Sequence, residues 1–169
     1  NQFFTPRYVV QFLTDNSLGR IWYEMTEGNT VLKSVCPYII LRPGEVFLRK
    51  GESKPESKDQ DTEYIDHRPI KDPREILMLD PACGSMHFGL YCFDLFEHIY
   101  TEAWDNYPEL LLDLRNNMTR SAFVKQIPEL IIRHNIHGVD IDPRALQIAG
   151  LSLWLRAQKS FDKQNLNAN

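Results

Sequence analysis

The chain has 169 residues, 43% of them hydrophobic and 25% charged, enough for one domain-sized core. No run of about 18 apolar residues occurs, which excludes a membrane-spanning helix. The net charge of -4 argues against a chain that grips DNA phosphates through a basic face of its own. Cys36, Cys83 and Cys92 lack any C-x-x-C spacing. They predict reduced thiols in a cytoplasmic setting, with neither a disulfide framework nor a zinc site. The opening Asn1-Gln2-Phe3-Phe4 carries no initiator Met and no secretory pattern, so the chain reads as a piece of a longer protein.

Thr5-Pro6 suits a helix start, and Val9, Val10, Leu13, Leu18, Ile21, Trp22 and Met25 come after it at helical spacing. Gly19 is a candidate break between two helices, and Glu27-Gly28-Asn29 closes the helical region. Residues 1–49 therefore form a helical N-terminal segment, with Tyr38 to Leu41 a candidate short strand. Residues 50–64 are almost free of apolar side chains and read as a solvated loop or linker. Arg68, Lys71 and Arg74 make the most basic local stretch, read as a solvated approach to the first strand of the next domain.

Residues 65–169 read as the first half of an α/β domain. Ile76-Leu77-Met78-Leu79 is a short apolar run, expected to be a strand buried on both faces. It ends in the small-residue turn Asp80-Pro81-Ala82-Cys83-Gly84-Ser85. A long helix comes next, with Leu90, Phe93, Phe96, Ile99, Tyr100 and Ala103 on one side. Two helices then fill 108 to 134, Pro128 suiting the first turn of the second. Ile136 to Val139 is the second strand and Asp140-Ile141-Asp142-Pro143 its turn. A last helix, Arg144 to Lys159, carries the apolar stripe Leu146, Ala149, Leu153 and Ala157. Strand, turn, helix, strand, turn, helix is a parallel α/β unit.

Ligands of open parallel sheets bind at the carboxyl ends of the strands, where Asp80 and Asp140 stand. Small residues after Asp80 let a backbone approach a ligand closely, and a carboxylate ending the second strand can accept both hydroxyls of a ribose. A nucleoside cofactor across two strand ends is one reading of the pair. The other is that each Asp merely caps the helix after it. The first turn lacks both G-x-G-x-x-G and a Gly-Lys-Ser/Thr ending, so a cofactor without phosphates fits better.

The stretch Asp80 to Phe88 (DPACGSMHF) resembles the first motif, D-P-A-C-G-S-G-x-F, of the N6-adenine DNA methyltransferases. Phe3-Phe4-Thr5-Pro6 resembles their F-x-T-P motif, and Gly138 to Pro143 with Ala145-Leu146 their second-strand motif. Leu153-Trp154-Leu155-Arg156-Ala157 is similar to the next helix in the larger members, which include restriction–modification and phage-defence methylases. The resemblance implies a Rossmann-like class I fold, here partial, that binds S-adenosyl-L-methionine. It implies that Thr5 holds the methionine carboxylate with Phe3 beside it, and that Asp80 faces the ammonium group. Ala82, Cys83, Gly84 and Ser85 would line the methionine arm, Asp140 would bind the ribose hydroxyls, and Ile141 would pack on the adenine. Two carboxylates near a cationic sulfonium also suit it electrostatically. Met86 departs from the family by standing where it usually has Gly, and the stretch between Asp80 and Asp140 is long.

The family's catalytic N/D-P-P-Y/F tetrapeptide has no counterpart, since the chain contains no Pro-Pro pair. No catalytic residue is assigned; the motif is expected beyond the C-terminus, the parent is expected to be an adenine-specific methyltransferase, and this piece is expected to be inactive alone. Double-stranded DNA would be met through regions downstream. The alternatives are an N4-cytosine methyltransferase and a non-catalytic nucleoside-binding remnant. His134 and His137 read as ordinary histidines rather than metal ligands, and His87 as a polar contact near the turn. Trp22, Trp104 and Trp154 are expected in the core. A sheet cut short leaves an open edge and apolar surface, which predicts self-association of the chain by itself.

Overall fold

The computed structural model describes residues 5–55 and 62–166, with side chains to residue 162; Phe3 lies outside the described residues. Helices and two small parallel sheets make up a mixed architecture compatible with an α/β fold. The chain divides into two compact units, one of residues 11–70 and one of residues 1–10 with 71–169. No described helix is long and apolar enough to cross a membrane.

In the unit of residues 11–70, the end of helix α1 (Arg7–Thr14) continues through a π-helical turn, Asp15–Gly19, into α2 (Arg20–Met25). Gly19 keeps helical angles, so the interruption is a change of register without a break. Its cause is side-chain competition for the backbone: Asn16 donates to the Phe12 carbonyl and Ser17 to the Leu13 carbonyl. Gly28, at φ +77°, donates to the Tyr23 carbonyl and closes the helix as the sequence predicts. After the short α3 (Leu32–Val35), Tyr38 to Leu41 is no strand. Its backbone is satisfied by side chains: the Tyr38 N–H donates to Asp15, the Ile40 N–H to Asn16 Oδ1, and Asn16 Nδ2 to the Tyr38 carbonyl. Strand β1 (Glu45–Phe47) instead pairs in parallel with β2 (Glu63–Ile65), so the polar segment read over 50–64 yields its last two residues to a strand. Trp22 and Leu32 are fully buried here.

In the other unit, a 3₁₀ turn at Pro73–Glu75 leads into β3 (Met78–Asp80), then α4 (His87–Asn106), α5 (Leu112–Asn117) and α6 (Arg120–Leu130). A π-helical turn, Ile131–Asn135, precedes β4 (Ile136–Gly138), and the last element is α7 (Pro143–Leu166). β3 and β4 are parallel, with Met78 opposite Ile136 and Asp80 opposite Gly138. The core is the inner side of α4, where Phe93, Phe96, Ile99, Tyr100 and Ala103 are buried along with Phe123, Ile127 and Ile131. Asn135 is fully buried and donates to the carbonyls of Pro73 and Ile76 while accepting from the Tyr100 hydroxyl. Arg115 closes the carboxyl end of α4 by donating to the carbonyls of Ala103, Trp104, Tyr107 and Leu110, over the Trp104 ring. Arg156 ties α7 to α4 through Asp94 and Glu97.

Four features differ from the expectations drawn from sequence. The strand run is covered on one side only, since Leu77 and Leu79 are exposed while Ile76 is buried. Pro128 sits inside α6, not in its first turn, because Thr119 starts the helix by accepting from the Ala122 N–H. A Pro at that depth withholds a donor, and the ladder loosens into the π-helical turn immediately after. Trp154 is exposed, whereas Trp22 is buried and Trp104 stacks on Phe123 at 4.2 Å. Finally, α7 runs past Lys159 to Leu166, and Leu146 of its expected stripe is exposed while Ala149 and Ala157 are buried.

Candidate functional site at the strand ends

The two parallel strands stop at the same level, with Asp80 opposite Gly138. The Val139 N–H donates to the Asp80 carbonyl, and the Cys83 N–H donates to the Val139 carbonyl. The turn after β3 is thereby stitched to the end of β4 by backbone alone. Side chains complete the joint. The Asp140 carboxylate accepts from the Gly84 N–H through Oδ2 at 2.8 Å and from the Asp142 N–H through Oδ1 at 2.9 Å. Asp80 accepts from the Ala82 N–H at 3.1 Å, and Asp142 accepts from the Arg144 N–H at 2.9 Å. These two are local Asx turns of the kind that start helices. Asp140 is different, because one of its two bonds spans 56 residues of sequence.

The N–H groups of Asp142 and Gly84 hold the Asp140 carboxyl below the usual carboxylate range. It is therefore an anion at neutral pH, and each oxygen keeps a lone pair for a further donor. Arg144 holds Asp142 low in the same sense. Burial pushes the Cys83 thiol up, and the nearby Asp80 and Asp140 carboxylates add to the shift. A thiol shifted in this direction carries less of the thiolate that nucleophilic attack requires.

The residues predicted from sequence divide into two groups. Asp80, Ala82, Cys83, Gly84, Ser85, Asp140 and Ile141 are brought together by the paired strand ends. Thr5 is exposed just ahead of α1 and belongs to the same compact unit. Ile141 is 99% exposed, an unusual state for an isoleucine, and it stands next to the carboxylate that bridges the turns. Cys83 is buried with its Sγ against Gly138, so its side chain faces the protein interior. The Ser85 hydroxyl lies 3.2 Å from His87 Nδ1, a contact within the turn itself. His137 approaches the His134 carbonyl at 3.2 Å.

Sequence reading missed Gly138, Gly89 and the part played by Met86. Met86 has φ +70° and ψ +34°, the left-handed region that favours Gly, and it is buried at the start of α4. A Cβ added to Gly89 would lie 2.5 Å from Met86 Sδ, and one added to Gly138 would overlap Met86 Cε. The two glycines are the space that the methionine fills. Nothing in a linear motif signals that three-way contact.

Two curated relatives are similar to this chain, and both are of one class, adenine-specific methyltransferase. The chain is 32% identical over 158 residues to the adenine-specific methyltransferase BrxX of Escherichia coli O9:H4 (strain HS), covering 94% of this chain and 11% of that protein. It is 25% identical over 168 residues to the adenine-specific methyltransferase PglX of Lacticaseibacillus casei (strain Zhang), covering 96% of this chain and 12% of that protein. The chain thus spans about one ninth of the length of these relatives. No protein-family model matches it.

Proposed function

We propose that this chain is the S-adenosylmethionine-binding part of a DNA adenine-N6 methyltransferase of the restriction–modification or phage-defence type, built on a partial Rossmann-like class I fold. The observation that carries the reading is the Asp140 bridge, which joins the ends of two parallel strands and leaves two carboxylates, Asp80 and Asp140, at one edge. In an open parallel sheet that edge is where nucleoside cofactors bind. Asp140 has free lone pairs for ribose hydroxyls, and exposed Ile141 offers an apolar surface to an adenine ring. Asp80 supplies a charge partner for the ammonium group, with Ala82, Gly84, Ser85 and Thr5 around the methionine arm. The cofactor would supply the methyl group. The names of the relatives favour adenine over cytosine as the acceptor.

Transfer to adenine and contact with double-stranded DNA belong, on this reading, to parts of the parent protein that this chain does not include, as its net charge of -4 suits. The uncovered apolar surface of α7 and of the strands belongs there too, and in isolation it would drive the chain to self-associate. Titration calorimetry with S-adenosylmethionine and with its demethylated product tests the cofactor assignment. Saturable binding of both is expected, and a chain that binds neither overturns it. The ribose assignment is sunk separately if Asp140→Ala leaves the measured affinity unchanged.

A further inference from the structure

A hydrogen bond between two turns is only as good as the geometry holding its ends. The Gly84 N–H reaches Asp140 across 56 residues of sequence, so something must fix the turn after β3 against the end of β4. The backbone contacts of Cys83 and Val139 fix one side. The other side is occupied by the Met86 side chain, which is 4% exposed and has closed onto two glycines.

We infer that Met86 is the positioning residue of this site: a wedge between Gly89 and Gly138 that sets the distance from the first turn to β4 and so aims Asp140 at Gly84. Met86 is bound into the turn, because its N–H donates to the Cys83 carbonyl at 2.7 Å and its own carbonyl accepts from Leu90. Its Sδ and Cγ occupy the place a Cβ would take on Gly89, in the first turn of α4. Its Cε occupies the place a Cβ would take on Gly138, the residue opposite Asp80 in the sheet and two before Asp140. One side chain thus touches the helix start and the second strand at once. A left-handed backbone at a non-glycine residue costs energy, and it is kept here because the conformation directs the side chain into this gap. An unbranched, polarisable thioether suits an irregular gap of this kind.

This rests on the cofactor reading only for its consequence on affinity; the geometric part stands without it. The test is a double-mutant cycle in the intact chain, with Gly138→Ala, Met86→Ala and the pair combined. The Gly84 amide is followed by nuclear magnetic resonance exchange, and affinity for S-adenosylhomocysteine by calorimetry. Gly138→Ala forces a methyl onto Met86 Cε and is expected to loosen the Gly84 amide and weaken binding by about tenfold, a size usual for contacting pairs. Met86→Ala removes the wedge and is expected to loosen the Gly84 amide by itself. In the pair, the methyl added at Gly138 keeps only its contacts with Cys83 and fills part of the vacated gap. The combined loss is therefore expected to be clearly smaller than the two single losses added together. Met86→Leu, which keeps an apolar side chain of similar volume, is expected to hold the amide near its original protection. Single losses that simply add in the double variant, or a Gly84 amide left unmoved by Met86→Ala, overturn the inference. If the unsubstituted chain binds no S-adenosyl compound, the cofactor reading fails, while the amide exchange still decides whether Met86 is the wedge.

Discussion

Asp140 is the residue on which structure and proposed chemistry meet. Its carboxylate accepts from two backbone N–H groups, one in its own turn and one in the turn after β3. Those donors favour the charged form, so its folded-state pKa lies below the unfolded value. The stabilisation from a depressed carboxylate is fully present above the unfolded pKa and is lost as pH falls through the folded one. Asp140→Asn should therefore unfold at lower urea than the original chain at neutral pH. The gap should close in acid, once the original carboxyl is protonated too. Urea midpoints collected from pH 7 down to about 2 check this, the ordinary carboxylate range lying near 4. A gap that stays constant across that range would mean that charge at Asp140 contributes nothing to the joint. Asp80 and Asp140 were legible in the sequence for a plain reason: each ends a short apolar run and precedes small or helix-starting residues. The wedge was not legible. Met86 and Gly89 become neighbours of Gly138 only once the helices between them have folded and brought β4 alongside β3.

At the level of elements, what ties β3 to β4 is buried polar pairing as much as apolar packing. Asn135 ends the π-helical turn and uses its amide to hold the carbonyls of Pro73 and Ile76, the approach to β3, while its own oxygen accepts from Tyr100. Burial pushes the Tyr100 phenol up, so it remains a donor throughout the ordinary pH range. Asn135→Ala strands two buried carbonyls and one hydroxyl, and should destabilise the chain by about 2–4 kcal/mol in urea unfolding. Tyr100→Phe removes only the hydroxyl and should cost about 1 kcal/mol. Equal effects would mean that the bonds to Pro73 and Ile76 carry no weight. Thr119→Ala, which removes the cap of α6, should likewise cost about 1 kcal/mol. The order strand, turn, helix, strand, turn, helix could be read from periodicity because each element buries one face. Tyr38 to Leu41 misled because an extended backbone satisfied by the side chains of Asp15 and Asn16 has the same apolar pattern as one satisfied by a neighbouring strand. Glu63 and Tyr64 misled in the opposite way, as polar residues recruited into a short strand by pairing with Glu45 and Val46.

At the scale of the molecule, the unit containing both strand ends is well packed on one side and open on the other. Phe93, Phe96 and Phe123 are buried without remainder, whereas Leu77 and Leu79 on β3 and Ile148, Leu151, Trp154 and Leu155 on α7 are exposed. Residues 148, 151 and 155 recur at helical spacing, so α7 has an apolar outer face as well as its inner contacts with α4. Such a face costs free energy in water, and a long apolar helix surface beside an open sheet tends to find a partner. In the isolated chain the partner at hand is a second copy. Light scattering should show a mass above that of one chain, rising with concentration. Trp154 is 55% exposed, so replacing it with Lys should remove little packing within the chain. Trp154→Lys should then lower the association while leaving the urea midpoint nearly unchanged, within about 0.5 kcal/mol. A monomeric original chain at every concentration would refute the association, and a large loss of stability in Trp154→Lys would show that this ring belongs to the fold rather than to an interface. The outcome also bears on the affinity measurements, since a copy seated over the strand edge would compete with any ligand of Asp140 and Ile141.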